Sequence, residues 1–191
     1  MTVVATAFWR RLDVPGRDAA RVSQVATGYQ LLGQSVFLDS CGPTALRYTL
    51  DLTPTWATRQ GHITGFIGER AVDTRIVRTP NGWTLGGKEL GMAEVADLDL
   101  GLTPATNMVQ LKRLGLSVGD VVNFDVAWLE AGDEALVRLR QEYRRTSEFE
   151  YDYSSPTSDY QATVILAPSG FAAIYPGLWE IEARSRASGR S

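Results

Sequence analysis

The sequence is poor in the residues on which most catalytic and metal sites depend. Its 191 residues include one histidine, His62, and one cysteine, Cys41. A zinc site wants several such ligands. A serine or cysteine nucleophile wants a base beside it, usually histidine. His62, in Gln60-Gly61-His62-Ile63-Thr64, reads as a polar position on a strand, and Cys41, in a Gly-Pro turn with no basic neighbour, reads as structural. A single cysteine excludes an intramolecular disulfide and fits a reducing compartment. No Gly-rich loop ends in Gly-Lys-Ser/Thr, and Leu85-Gly86-Gly87-Lys88 reads as a turn. No metal or cofactor is expected. No run approaches the ~18 consecutive apolar residues of a membrane span. The N-terminal apolar stretch is short, follows no basic residue and runs straight into Arg10 and Arg11, which makes a poor secretion signal. The expectation is a soluble, cytoplasmic protein. Neither sign of charge dominates: 19 Lys and Arg against 22 Asp and Glu leave a net charge of −3. A basic surface for nucleic acid is therefore not indicated.

What the chain has is turn residues and short β-leaning segments. Its 18 glycines and eight prolines mark turns at Val14-Pro15-Gly16, Cys41-Gly42-Pro43, Pro80-Asn81-Gly82 and Pro168-Ser169-Gly170. Residues 46–52 and 72–78 alternate apolar and polar with period two, and Pro80-Asn81-Gly82 turns the second into Trp83-Thr84-Leu85 as a hairpin. Residues 121–129 and 161–166 are further strand candidates. Residues 136–145 suit either a helix or a strand; Phe149, Tyr151 and Tyr153 follow in strict alternation and favour the strand. Many short strands and few helical periods predict one mainly-β domain over residues 1–184, an antiparallel sheet, barrel or sandwich with one or two short helices. The small, polar, basic residues 185–191 read as a frayed tail.

The run from Asp97 to Leu114 is the most informative. It sets two acids, two threonines, an Asn, a Lys and an Arg between evenly spaced leucines. Asp97 and Asp99 share one face of an extended segment, with Leu98 and Leu100 on the other. Gly101 and Pro104 end it, and Thr103 or Thr106 is placed to cap a short helix carrying Met108, Leu111 and Leu114. The two carboxylates could act as acid and base on a sugar or bind its hydroxyls. Equally, they could anchor the loop, pairing with Arg113 or Arg59. Asn107 carries the same two readings. Tryptophans and tyrosines spread over separate segments suit core packing first. A curved sheet open on one side, however, also presents an apolar face to an acyl chain. Rim arginines such as Arg59, Arg113 and Arg144 then suit a phosphate or sugar head group.

With Trp56-Ala57-Thr58-Arg59 upstream and Tyr175-Pro176-Gly177-Leu178-Trp179 near the end, this segment resembles the bacterial family of putative glycolipid-binding proteins, long a domain of unknown function. The resemblance spans about Trp9 to Trp179 and is most specific in the DxDxxxTPATN string. It implies a half-open antiparallel barrel similar to lipid and lipoprotein carriers, binding a glycolipid or other lipid in its concave groove. Residue by residue it carries over Trp56, Arg59, Asp97, Asp99, Thr103, Pro104, Thr106, Asn107, Arg113, Tyr175, Pro176 and Gly177. In the family a proline and a further arginine follow the Asn; here the chain reads Met108-Val109-Gln110-Leu111-Lys112. The expected ligand-binding set is Trp56, Arg59, Asp97, Asp99, Thr106, Asn107, Arg113, Tyr143 and Tyr175. The alternative is an enzyme acting on a glycan or glycolipid through Asp97 or Asp99.

Overall fold

The structure, a computed structural model, describes residues 1–133, 135–156 and 159–182. The expected tail at 185–191 lies outside these residues. Fifteen strands form one sheet: β1 (Thr2–Arg11), β2 (Gly16–Val25), β3 (Gly28–Asp39), β4 (Gly42–Leu52), β5 (Thr58–Ile67), β6 (Arg70–Thr79), β7 (Gly82–Leu85), β8 (Lys88–Glu89), β9 (Leu98–Leu100), β10 (Val121–Leu129), β11 (Val137–Arg145), β12 (Glu150–Ser155), β13 (Tyr160–Leu166), β14 (Ala172–Tyr175) and β15 (Trp179–Ile181). Among the described residues one helix, α1 (Ala105–Leu114), joins β9 to β10. The spatial order is β8-β7-β6-β5-β4-β3-β2-β1-β15-β14-β13-β12-β11-β10-β9. It is a meander on each side of a seam where β1 meets β15. Every pair is antiparallel except β9 and β10, which run parallel because α1 carries the chain back across.

The seam is short but locked. Trp9 pairs with Ile181, Arg10 with Glu180 and Arg11 with Trp179. The buried Trp9 indole donates to the Ala172 carbonyl at 2.6 Å and meets the Phe171 ring edge-on at 5.2 Å.

Alternation dictates the inner face. On β4, Thr44, Leu46, Tyr48, Leu50 and Leu52 are buried, while Arg47 between them is exposed. His62 lies on the outer face of β5, where its Nε2 meets Asp73 Oδ1 at 2.7 Å.

The hydrogen bonds of the 97–107 segment require the sheet to curl. Thr103 bonds Tyr48 of β4, and Asn107, four residues on, bonds Tyr143 of β11. Those strands stand eight spacings apart in the sheet order. Laid flat they would be about 38 Å apart, whereas four residues of helix rise only about 6 Å. The inner face must therefore wrap around β9 and α1. The curled sheet stays open, because β8 and β9 remain unpaired edges.

Candidate functional site

The expected site segment occupies the concave face itself. Seven consecutive residues of α1, Ala105 to Leu111, are buried, so this part of the helix is enclosed on every side, while Lys112 is exposed. β9 is buried on both faces too. Its N-terminal approach crosses to β5: the Thr58 N–H donates to the Ala96 carbonyl at 3.0 Å, and the Leu98 N–H donates to Thr58 Oγ1. Gly61 makes room for this crossing, since a Cβ there would come within 2.7 Å of Leu98 Cδ2.

Polar side chains on a buried segment need partners, and here they find them in the sheet. Asp97, fully buried, takes a bidentate pair from Arg113, with Nε at 2.8 Å and Nη2 at 2.6 Å. Asp99 accepts from Thr106 Oγ1 at 2.6 Å and from Gln141 Nε2 at 2.7 Å. Asn107 Nδ2 donates to the Tyr143 hydroxyl at 2.8 Å. Gln110 is also fully buried; its amide makes no well-aligned hydrogen bond among the described residues but lies close enough to Asp99 to favour its charged form. Burial pushes both acids above the usual carboxylate range; Arg113 opposes this at Asp97, and Thr106, Gln141 and Gln110 oppose it at Asp99. Pro104 occupies the cap position without a side-chain bond. Thr103 Oγ1 instead accepts the Ala105 N–H at 3.1 Å.

A second polar cluster holds the start of the segment, and sequence reasoning missed it. Asp18 of β2 is fully buried among Ser35, Tyr48 and Thr103. Each hydroxyl has one proton to give. Thr103 takes the Ala105 N–H and donates to Tyr48, which donates to Asp18 Oδ1 at 2.8 Å. Ser35 bonds both Asp18 Oδ2 and the Leu102 carbonyl, which can only accept. The Ser35 hydroxyl donates to Asp18, and the Leu102 carbonyl shares that proton. Burial pushes the Asp18 carboxyl up to about 7, against the pull of its hydroxyl partners. The legible signal was parity: Asp18 shares the inner face with Ala20 and Val22.

Gly33 completes that cluster. A Cβ there would lie 2.2 Å from Cζ and the hydroxyl oxygen of Tyr48, so the ring lies across bare backbone. Gly33→Ala is expected to push the ring aside and destabilise the fold by about 1–3 kcal/mol, measured as a lower urea midpoint.

The remaining expected residues are spread out. Tyr143 meets Tyr153 at 4.9 Å, and Tyr153 meets Tyr175 at 5.8 Å, in an aromatic chain on the inner face. Trp56 lies in the loop after β4, stacked on Tyr29 at 4.0 Å with φ of 68°, a strained conformation for a bulky residue. Arg59 points to the outer side, where its Nη1 donates to the Thr27 carbonyl at 2.8 Å.

Two openings are relevant to binding. The first is a crevice of about 280 Å³ between the C-terminal half of α1, the start of β12 and the β13–β14 turn. Met108, Leu111, Leu116, Tyr151 and Leu166 form the apolar part of a mixed lining that also carries polar surface. Phe149, 37% exposed, stands at its mouth with Lys112 and Glu148. Arg145 also borders it, but its guanidinium is spent on the carbonyls of Leu116, Ser147 and Glu148. The exposed Lys112 ammonium has no hydrogen bond or ion pair among the described residues. The second opening is a depression of about 930 Å³ bordered by the β2–β3 turn, the ends of β4 to β6 and Ala93; Arg59 lines it. Among the described residues, no group of three or more His, Cys, Asp or Glu could hold a metal ion, and no helix is long and apolar enough to cross a membrane.

The model of a family described as "Putative glycolipid-binding" matches residues 6–181. The crystal structure of a DUF1089 family protein from Pseudomonas aeruginosa is similar, with a TM-score of 0.75 at 25% identity over 85% of this chain and 90% of that one. No curated protein matches the chain.

Proposed function

Since the chain belongs to the family described as "Putative glycolipid-binding", we propose that it binds an amphipathic lipid or glycolipid, with the apolar chain in the crevice beside α1. The observation that carries this reading is the combination of apolar side chains, an exposed phenylalanine and an unpaired ammonium at one mixed opening. The crevice is near the lower size limit of ligand pockets, roughly 300 Å³. Each methylene buried there contributes about 0.8 kcal/mol before association costs.

In this reading Asp97, Asp99, Thr106, Asn107, Arg113 and Tyr143 hold α1 in the groove, where it forms one wall of the crevice. All four carboxylate oxygens of the two acids are engaged by Arg113, Thr106 and Gln141. That engagement favours a binding protein over acid/base chemistry at Asp97 or Asp99.

The test is native mass spectrometry of the protein after delipidation and incubation with a bacterial lipid extract. A stoichiometric lipid adduct is expected. Leu111→Trp, which fills the crevice, and Phe149→Glu, which alters only its mouth, are each expected to cut uptake at least ~10-fold, about 1.4 kcal/mol. A clean apo mass for the folded wild-type protein, or undiminished uptake by both folded variants, overturns the proposal.

A further inference from the structure

The larger depression has a chemistry unlike that of the crevice. Its floor is one outer-face row of the sheet, in which Gln30, Asp51, Gln60 and Val77 stand side by side on β3, β4, β5 and β6. The Asp51 carboxylate is clamped from both sides: Gln30 Nε2 donates to Oδ1 at 2.9 Å and Gln60 Nε2 donates to Oδ2 at 2.6 Å. The clamp spends one proton of each amide. Each Gln keeps a second N–H and its carbonyl oxygen, and Asp51 keeps acceptor capacity. The row therefore offers donors and acceptors at fixed spacing on three rigid strands, which costs little ordering when a ligand binds.

The walls add charge. Arg59 and Arg78 line the depression against the single carboxylate of Asp51. Arg59 uses Nη1 on the Thr27 carbonyl, which holds the guanidinium in place. Its Nε and Nη2 have no partner among the described residues. A planar fork of this kind suits a carboxylate or phosphate. Val25, Val77 and Pro80 supply small apolar surfaces between the polar groups.

Alternating donors and acceptors with an adjacent unspent guanidinium match a ligand rich in hydroxyls that also carries an acidic group. We infer that this depression, built on the Gln30-Asp51-Gln60 row and Arg59, binds an acidic saccharide. The row meets hydroxyl groups, each of which both donates and accepts. Arg59 meets the acidic group, and the spare charge of the site rejects a cationic ligand. This site is separate from the crevice beside α1 and does not depend on lipid binding there.

The probe is digalacturonate, titrated into the 15N-labelled full-length protein with side-chain amide and arginine Nε signals observed by NMR, and with neutral maltose as the control. Saturable shifts are expected at the Gln30 and Gln60 side-chain amides and at Arg59 Nε, with maltose binding at least ~10-fold more weakly because it lacks the charge. Arg59→Gln, an exposed change, is expected to remove most of this preference while leaving the fold intact. Gln60→Leu, which removes one arm of the clamp, is expected to weaken both sugars. The inference is overturned if digalacturonate causes no saturable shift at this row, if shifts appear elsewhere instead, or if Arg59→Gln leaves the discrimination unchanged.

Discussion

Arg113→Met is expected to destabilise the protein by about 3 kcal/mol, near the lower bound for leaving a buried charge without its partner. Asp97 is fully buried and takes both of its strong bonds from that guanidinium. The Arg113 side chain retains 25% exposure, so water recovers part of the loss. Methionine keeps much of the stem that packs beside Phe124, over whose ring the guanidinium lies at 5.9 Å. The loss is therefore chiefly electrostatic. Adding Asp97→Asn should return a large part of the stability, since a neutral amide is far cheaper to bury than a lone carboxylate. Urea denaturation of the two single variants and the double variant measures this as a coupling energy. Additive losses would mean that the pair does not act as a unit.

The second large effect is on pH dependence. The Asp18 carboxyl is held at about 7 in the fold against an ordinary value of 3.8. The unfolded chain gives up this proton above about pH 4, while the folded protein keeps it until about pH 7. Stability must therefore fall as pH rises through this window. A difference of about three pH units is worth about 4 kcal/mol. Asn at this position reproduces the neutral acid: its N–H can donate to Ser35 and its oxygen can accept from Tyr48. It does not titrate. Asp18→Asn is expected to gain about 4 kcal/mol relative to wild type between pH 4 and pH 8, read from chemical denaturation at each pH. Asp97, Asp99 and Glu130 are also raised by burial. They steepen the fall in both proteins and cancel in the comparison. A difference that does not change with pH would show that Asp18 is ionised in the fold.

Much of the strand pattern was legible because one buried face writes itself as alternation. Residues 121–129 coincide with β10, and residues 72–78 and 83–85 fall within the β6–β7 hairpin. Of residues 136–145, Val137–Arg145 form the strand that their aromatic neighbours favoured, as β11. The helix after Pro104 was legible from its breakers and its Met108-Leu111-Leu114 spacing. The parallel pairing of β9 with β10 was not, since nothing local in Leu98-Asp99-Leu100 shows which way its neighbour runs. Nor was the destination of this segment. Seven buried residues in a row on α1, three of them polar, make sense only once Asp99 and Tyr143 are brought around them by the curl of the sheet. The same nonlocality hid Asp18, whose partners lie 17 and 30 residues away. It also hid the outer depression, which gathers turns from Thr27 to Ala93.

The seam between β1 and β15 has a consequence during synthesis. Hairpins β1 to β8 connect neighbours in the chain and can zip as they leave the ribosome. The strand that covers β1, however, emerges after all the others, about 170 residues later. Until then the Trp9–Arg11 end of β1 is a bare edge, the kind that recruits other nascent chains. The late arrival of Trp179–Ile181 thus times the point at which the buried Trp9 end of that edge is covered. A chain stalled before Tyr175 should engage chaperones more than one that has released Ile181.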